Sequence, residues 1–154
     1  KPTSSMNPLP AQSSPYLTLS WQGEDEEGGS GVVAYDIYVS KDGQPYSRWK
    51  TVEDTSTNFV GIPGSVYQFY SIARDGVGHF EEKEPVAEAQ TRIYLAGDIT
   101  QDDIVNIEDL VSFASCWLSD CPQMDIAPAY YPDGIIDLLD FAELSNDWLK
   151  SVID

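Results

Sequence analysis

At 154 residues the chain is long enough for one domain or two small ones; 42% hydrophobic residues and four Trp support a buried core and argue against disorder throughout. A formal charge of −18, from 26 acidic against 8 basic side chains, argues against nucleic acid or an anionic membrane as partner. No stretch approaches the length of a transmembrane helix, and the opening Lys1, Pro2, Thr3 reads as mid-chain, so a piece of a larger protein is expected.

Residues 1–14, rich in Pro and Ser, read as an interdomain linker or a first edge strand. From residue 15 the pattern becomes short alternating strands. Residues 16–21 alternate, and 23–31 form an acidic, glycine-rich loop. Residues 32–40 put Val33, Tyr35, Ile37 and Val39 on one face. Lys41, Asp42 and Gly43 signal a hairpin turn into a strand over 46–51. Residues 57–62, 67–74 and 86–93 bring the count to about seven strands, which suits a β-sandwich. Trp21 in an early strand, then the run from Gly61 through Tyr67 and Ala73 to Gly78, resembles a fibronectin type III or related immunoglobulin-like module over 15–94. That resemblance implies Trp21 at the core centre and Tyr67 as a tyrosine corner, its hydroxyl tied to nearby backbone. It implies nothing about activity, since such sandwiches host many roles.

Little in this half reads as catalytic. Glu24, Asp25, Glu26 and Glu27 could offer paired carboxylates to a glycosidase, but four adjacent acids in a Gly-rich loop read as a solvated loop. His79 is the single histidine and reads as a loop residue, so no Ser/His/Asp set forms. With Tyr67, Phe69 and Ala73 inward, Tyr70 and Ile72 would face outward beside Tyr38. Such an aromatic patch would bind carbohydrate or a partner, or pack against a second module. The junction over 91–97, with Ile93, Tyr94 and Leu95, lacks the composition of a free linker and suggests a fixed interface.

The second half is organised around residues 98–109. Asp98, Thr100, Asp102, Asn106 and Asp109 stand at positions one, three, five, nine and twelve, with Ile104 offering a backbone carbonyl at seven. That is the spacing by which an EF-hand-type loop wraps a hard cation such as Ca²⁺. The loop runs into an amphipathic helix marked by Ile107, Leu110, Val111, Ala114, Trp117 and Leu118. Cys116 and Cys121 bracket its end. A disulfide there requires the chain to turn after about Leu118, as Pro122 suggests; two free thiols are the alternative.

Sliding the chain by 31 residues sets Asp102 on Asp133, Ile104 on Ile135, Asn106 on Asp137, Asp109 on Asp140 and Trp117 on Trp148. The same register puts Ala129 and Tyr131 where first and third ligands belong. Asp125 lies four residues too early, so 125–132 reads as an expanded half-loop in which Asp125 is the first ligand and a backbone carbonyl replaces the third. A second repeat that keeps its helix without a metal is the alternative. After Arg92 the only base is Lys150, while about half of the acids lie there, which again favours bound cations.

This duplicated loop–helix unit, ending each time in Trp-Leu, resembles the type I dockerin module of cellulosomal and other secreted proteins over roughly 97–150. The resemblance implies a small all-α domain over 95–154 that follows the sandwich and folds on Ca²⁺. It further implies a cohesin-type protein partner, contacted through loop positions ten and eleven, here Ile107, Glu108, Leu138 and Leu139. Dockerins have glycine at position six, where the first loop has Asp103, and small hydroxyl residues at ten and eleven. The unmatched pairs here put a symmetric dual binding mode in doubt, and make docking onto another part of the parent protein equally natural. The expectation is a non-catalytic, extracellular segment, secreted or at the cell surface. A carbohydrate-binding accessory of a polysaccharide-degrading hydrolase and a calcium-rigidified structural segment are the rivals.

Overall fold

The computed structural model describes residues 1–119, 121, 124–127 and 133–151. Eight strands and two helices follow in order: β1 (Thr3–Met6), β2 (Gln12–Ser13), β3 (Tyr16–Glu24), β4 (Val32–Lys41), β5 (Ser47–Val52), β6 (Ser56–Val60), β7 (Val66–Asp75), β8 (Ala89–Ile93), α1 (Ile107–Ser115) and α2 (Leu138–Asn146). The strands form a three-stranded sheet in the order β1-β3-β6 and a five-stranded sheet in the order β2-β8-β7-β4-β5. The Pro/Ser-rich start thus supplies an edge strand to each sheet. Two compact units emerge, one of Lys1–Ser13, Leu17–Gly61 and Ser65–Arg92, the other of Ser14–Tyr16, Ile62–Gly64 and everything from Ile93 on.

In the first unit the alternating β-branched and aromatic residues bury one side of each sheet. Leu19, Trp21, Ile37 and Phe69 are almost fully buried. Phe59 of β6 meets both Tyr67 and Phe69 of β7 edge-on, with ring centroids 5.0 Å apart, which joins the two sheets. The β4–β7 pair is the longest ladder, running antiparallel from Val32 opposite Asp75 to Lys41 opposite Tyr67. Asp42 and Gly43, which follow β4, both adopt positive φ (51° and 72°), the geometry that an Asp-Gly turn tolerates at least cost.

The expected architecture, a sandwich followed by a separate all-α domain over 95–154, is not what the chain adopts. Among the described residues the chain is mostly β, with eight strands in two sheets, and the helices are two segments of nine residues each. The reason is visible at their ends. Asn106 and Asp137 are N-caps whose side chains accept from Glu108 N and Leu139 N, so neither helix extends back into its loop. Leu118 and Leu149 sit at φ 55° and 60°, a left-handed conformation that stops the helix one turn after it has closed.

The inward face of each helix also differs from the periodic reading. Ile107, Val111 and Leu118 are exposed (59%, 63% and 71%), whereas Asp109, Phe113 and Cys116 are buried. In α2 the matching residues Asp140, Leu144 and Asp147 are buried, and Leu138, Leu139 and Leu149 are exposed. Phe113, Cys116, Leu144, Leu95, Val105 and Ile136 form one apolar cluster, with Ile99, Cys121, Met124 and Ile126 packed on it.

Candidate metal centre

The first loop is built by its own carboxylates. Asp98, 2% exposed, receives the backbone N–H of Asp102 at 3.0 Å on Oδ1 and that of Asp103 at 2.9 Å on Oδ2. Asp103 reaches that position at φ 73°, the conformation for which glycine is the usual residue and which aspartate tolerates better than most. Asp102 accepts from Ile104 N at 3.0 Å. Asp109, fully buried in the first turn of α1, accepts from Thr100 N and Thr100 Oγ1 through Oδ1 and from Asn106 N through Oδ2, at 2.8 to 3.0 Å. These bonds pull the chain round on itself until Asp98, Asp102 and Asp109 each present an oxygen within 4.8 Å of the others. Among the described residues no other group of three such ligands forms.

The second loop repeats the scaffold. Asp125 Oδ2 accepts from Gly134 N at 2.6 Å, as Asp98 accepts from Asp103, and Gly134 has φ 84°. Asp133 accepts from Ile135 N, as Asp102 accepts from Ile104. Asp140 Oδ1 accepts from Ile126 N and Ala127 N and its Oδ2 from Asp137 N, as Asp109 serves Thr100 and Asn106. Asp125 therefore holds the place of Asp98, and Ala127 the place of Thr100. Asp125 trails Asp98 by 27 positions and Asp133 trails Asp102 by 31, so the four extra residues fall between Ala127 and Asp133. The rest of the expanded half-loop, residues 128–132 with Ala129, Tyr131 and Pro132 and the substitute carbonyl, lies outside the described residues, as does Pro122.

Electrostatics sharpen the picture. Burial pushes the Asp98 carboxyl above its ordinary value, and the charges of Asp109 and Asp102 push the same way, against the two amides that favour the anion. Asp125 is 8% exposed and its Oδ1 has no hydrogen-bond partner. A buried carboxylate oxygen left so is costly unless a cation faces it. The donors at both loops are oxygens, with no His or Cys among them, which fits a hard divalent cation and not zinc. Thr100, Ile104, Asn106, Ile135 and Asp137 line the same two loops, Asn106 and Asp137 serving also as caps.

No protein-family model matches this chain, and no curated protein sequence pairs with it.

Ile107, Glu108, Leu138 and Leu139 are all exposed, in the first turns of the helices. Leu138 also lines an apolar groove of about 480 Å³ between α1 and α2, together with Leu110, Phe113, Ala114, Trp117 and Phe141. Cys116 and Cys121 form a disulfide. Tyr70 is buried, with Tyr38 stacked on it at 4.7 Å and Tyr46 edge-on at 4.9 Å, so it is not an open platform. In the acidic 23–31 loop, Asp25 turns back to accept from Glu26 N and Gly31 N. His79 Nδ1 lies 2.9 Å from Asp75 Oδ2, with no nucleophile in this pair. Two residues escaped the sequence reading. Asp147, the buried C-cap of α2, and Gly97, whose N–H it receives, frame the start of the first loop. The signal was present: Asp147 stands in the 31-residue register where Cys116 stands.

Proposed function

We propose that the chain is a non-catalytic segment of a secreted multidomain protein, in which two acidic loops take up Ca²⁺ and thereby fix a helix pair that docks a protein partner. The observation that carries this reading is the duplicated scaffold: in both loops the first and last aspartates are held by matching backbone amides, in the second with a buried, unpartnered oxygen on Asp125. Calcium suits such loops better than Mg²⁺ because many flexible oxygen ligands fit the larger ion. Its role is stabilisation by mass action, about 2.7 kcal/mol per site when free ion stands a hundredfold above Kd.

The likeness to dockerin repeats supports a cohesin-type domain, or another part of the parent protein, as partner. The exposed apolar residues Ile107, Leu138 and Leu139, beside Glu108 and the groove between the helices, are the contact surface. Because the two repeats differ at these positions, the partner is engaged in one orientation. The three-plus-five strand order supports reading the larger unit as a fibronectin type III or immunoglobulin-like spacer. The carbohydrate-binding alternative has less support, because Tyr70 is buried beneath its neighbours.

Calorimetric titration of the metal-stripped chain, with native mass spectrometry for stoichiometry, tests the proposal. Two bound ions, and capture by cohesin-type domains in calcium but not in chelator, are expected. No uptake at millimolar calcium would sink it.

A further inference from the structure

We propose that Asp147 is a positioning residue for the first loop: it carries the seating of α2 to the start of that loop and so sets its affinity for a divalent cation. The proposal rests on the calcium reading above and adds a residue outside the ligand pattern.

Asp147 is a carboxylate only 9% exposed that belongs to neither loop. Its Oδ2 accepts the N–H of Gly97 at 3.2 Å, and its Oδ1 accepts from Lys150 Nζ at 2.9 Å. Gly97 directly precedes Asp98, whose two oxygens receive the amides that close the loop. The fit at Gly97 is tight: a Cβ there would lie 3.2 Å from Asp147 Cβ, from Leu144 Cα and from Val105 Cγ1. The end of α2 also grips the far side of the loop. Leu149 N donates to Val105 O and Val105 N to Lys150 O, both at 2.9 Å. The turn that ends α2 therefore holds the first loop at two points, at Gly97 just before its start and at Val105 within it.

The other repeat makes the parallel link by covalent chemistry. Cys116, the C-cap of α1, is bonded to Cys121, four residues before Asp125, and Leu118 N donates to Ile136 O at 3.3 Å. Each helix end is thus tied to the start of the other repeat's loop, one by a disulfide and one by the Asp147 carboxylate. A hydrogen bond to a charged group that orients a ligand's backbone is the kind of contact whose loss typically weakens metal binding by about 10–100-fold.

The experiment is calcium titration of the metal-stripped full chain and its variants. In Asp147→Ala the affinity of the first loop is expected to fall by about tenfold or more, whereas Asp147→Asn, whose amide oxygen can take the place of Oδ2 and accept from Gly97, is expected to stay within about threefold of wild type. The loss is assigned by repeating both titrations with Asp102→Asn, which removes a first-loop ligand: the remaining second-loop affinity is expected to be the same with Asp147 or Ala. Equal loss at both loops would mean a general loss of structure and would overturn the proposal, as would an Asp147→Ala chain that binds like wild type. If Asp147→Ala does not fold, Gly97→Ala decides, since its Cβ presses the same contact apart. It is expected to weaken the first loop by about threefold or more, and unchanged binding would refute the role. A wild-type chain that takes up no ion would overturn the functional reading and this proposal together, which distinguishes that failure from the others.

Discussion

Replacing Asp102 by Asn should move the stability of the helical unit in opposite directions with and without calcium. The oxygens of Asp98, Asp102 and Asp109 lie within 4.8 Å of one another, and Asp98 and Asp109 are buried while Asp102 is exposed. At that distance two unit charges repel by about 3.5 kcal/mol at an effective dielectric of 20 and by about 0.9 kcal/mol in water. The two pairs that involve the exposed Asp102 belong near the lower figure, so the substitution relieves about 2 kcal/mol of repulsion in the metal-free protein. Asparagine keeps the oxygen that accepts Ile104 N–H, so no backbone donor is orphaned. With calcium the balance reverses, because the variant loses a ligand and most of the roughly 2.7 kcal/mol that a site filled at a hundredfold excess provides. Amide hydrogen exchange in α1 reads this directly. In chelator the variant should exchange about thirtyfold more slowly than wild type, and in millimolar calcium faster. A variant that exchanges faster in chelator as well would refute the charge-crowding argument.

Phe113→Ala, at a side chain 1% exposed in the apolar cluster, should cost about 3–5 kcal/mol of unfolding free energy, while Ile107→Ser, on the exposed face of the same helix, should cost about 0.5 kcal/mol or less; denaturant titration separates them. Reducing the Cys116–Cys121 disulfide, which closes a short loop, should lower stability by about 2 kcal/mol on loop-entropy grounds, visible as faster exchange at the end of α1. Acid should weaken the sheet unit through Asp75 and Glu81. Burial alone would raise both carboxyls. For Asp75 the amides of His79 and Val77 and the His79 ring outweigh it, and for Glu81 the Ser4 hydroxyl, the Ala73 amide and Lys83 do, so both lie below their ordinary values of 3.8 and 4.5. A lowered folded value means stability that is present above the unfolded value and lost as pH falls through the folded one. The urea midpoint should therefore drop as pH falls below about 4.5, and Asp75→Asn should flatten that drop.

What the sequence made legible was local chemistry. The Asp42-Gly43 turn could be read because few residue pairs accept two positive φ angles in succession. The spacing of the acids also anticipates that the first loop curls on itself, and Asp98, Asp102 and Asp109 bring oxygens within 4.8 Å of one another. Buried polar contacts were not legible in the same way. Nothing in the pattern around Tyr70 announces that Tyr46 will close over it. Nor does a lone Lys83 announce that Glu81, Glu88 and the carbonyls of Ser4 and Ser71 will surround its ammonium group. Several of these contacts, such as Lys83 with Ser4 and Tyr46 with Tyr70, join residues far apart in the chain, and hydrophobic periodicity carries no record of any of them. The all-α expectation failed for a related reason. A helical period shows where a helix can run, but the caps at Asn106 and Asp137 and the left-handed Leu118 and Leu149 decide where it stops.

The roll of the helices shows how the loops overrule periodicity. Turning Ile107 and Val111 of α1 inward would gain about 1.5–3 kcal/mol for each side chain buried. The same rotation would carry Phe113 out of the core and forfeit a comparable amount. It would also swing Asp109 away from Thr100 N, Thr100 Oγ1 and Asn106 N, and three hydrogen bonds to a charged group are worth about 1.5–3 kcal/mol each. The carboxylate therefore sets the roll, and Phe113 and Cys116, one and two turns on, follow it inward. Asp140 does the same for Leu144 and Asp147 in α2. A side chain placed to close an acidic loop thus dictates which face of its helix is left outside. The apolar residues left outside, Ile107 and Val111 in one helix and Leu138 and Leu139 in the other, with Leu118 and Leu149 in the turns that follow them, are what a partner protein would have to cover.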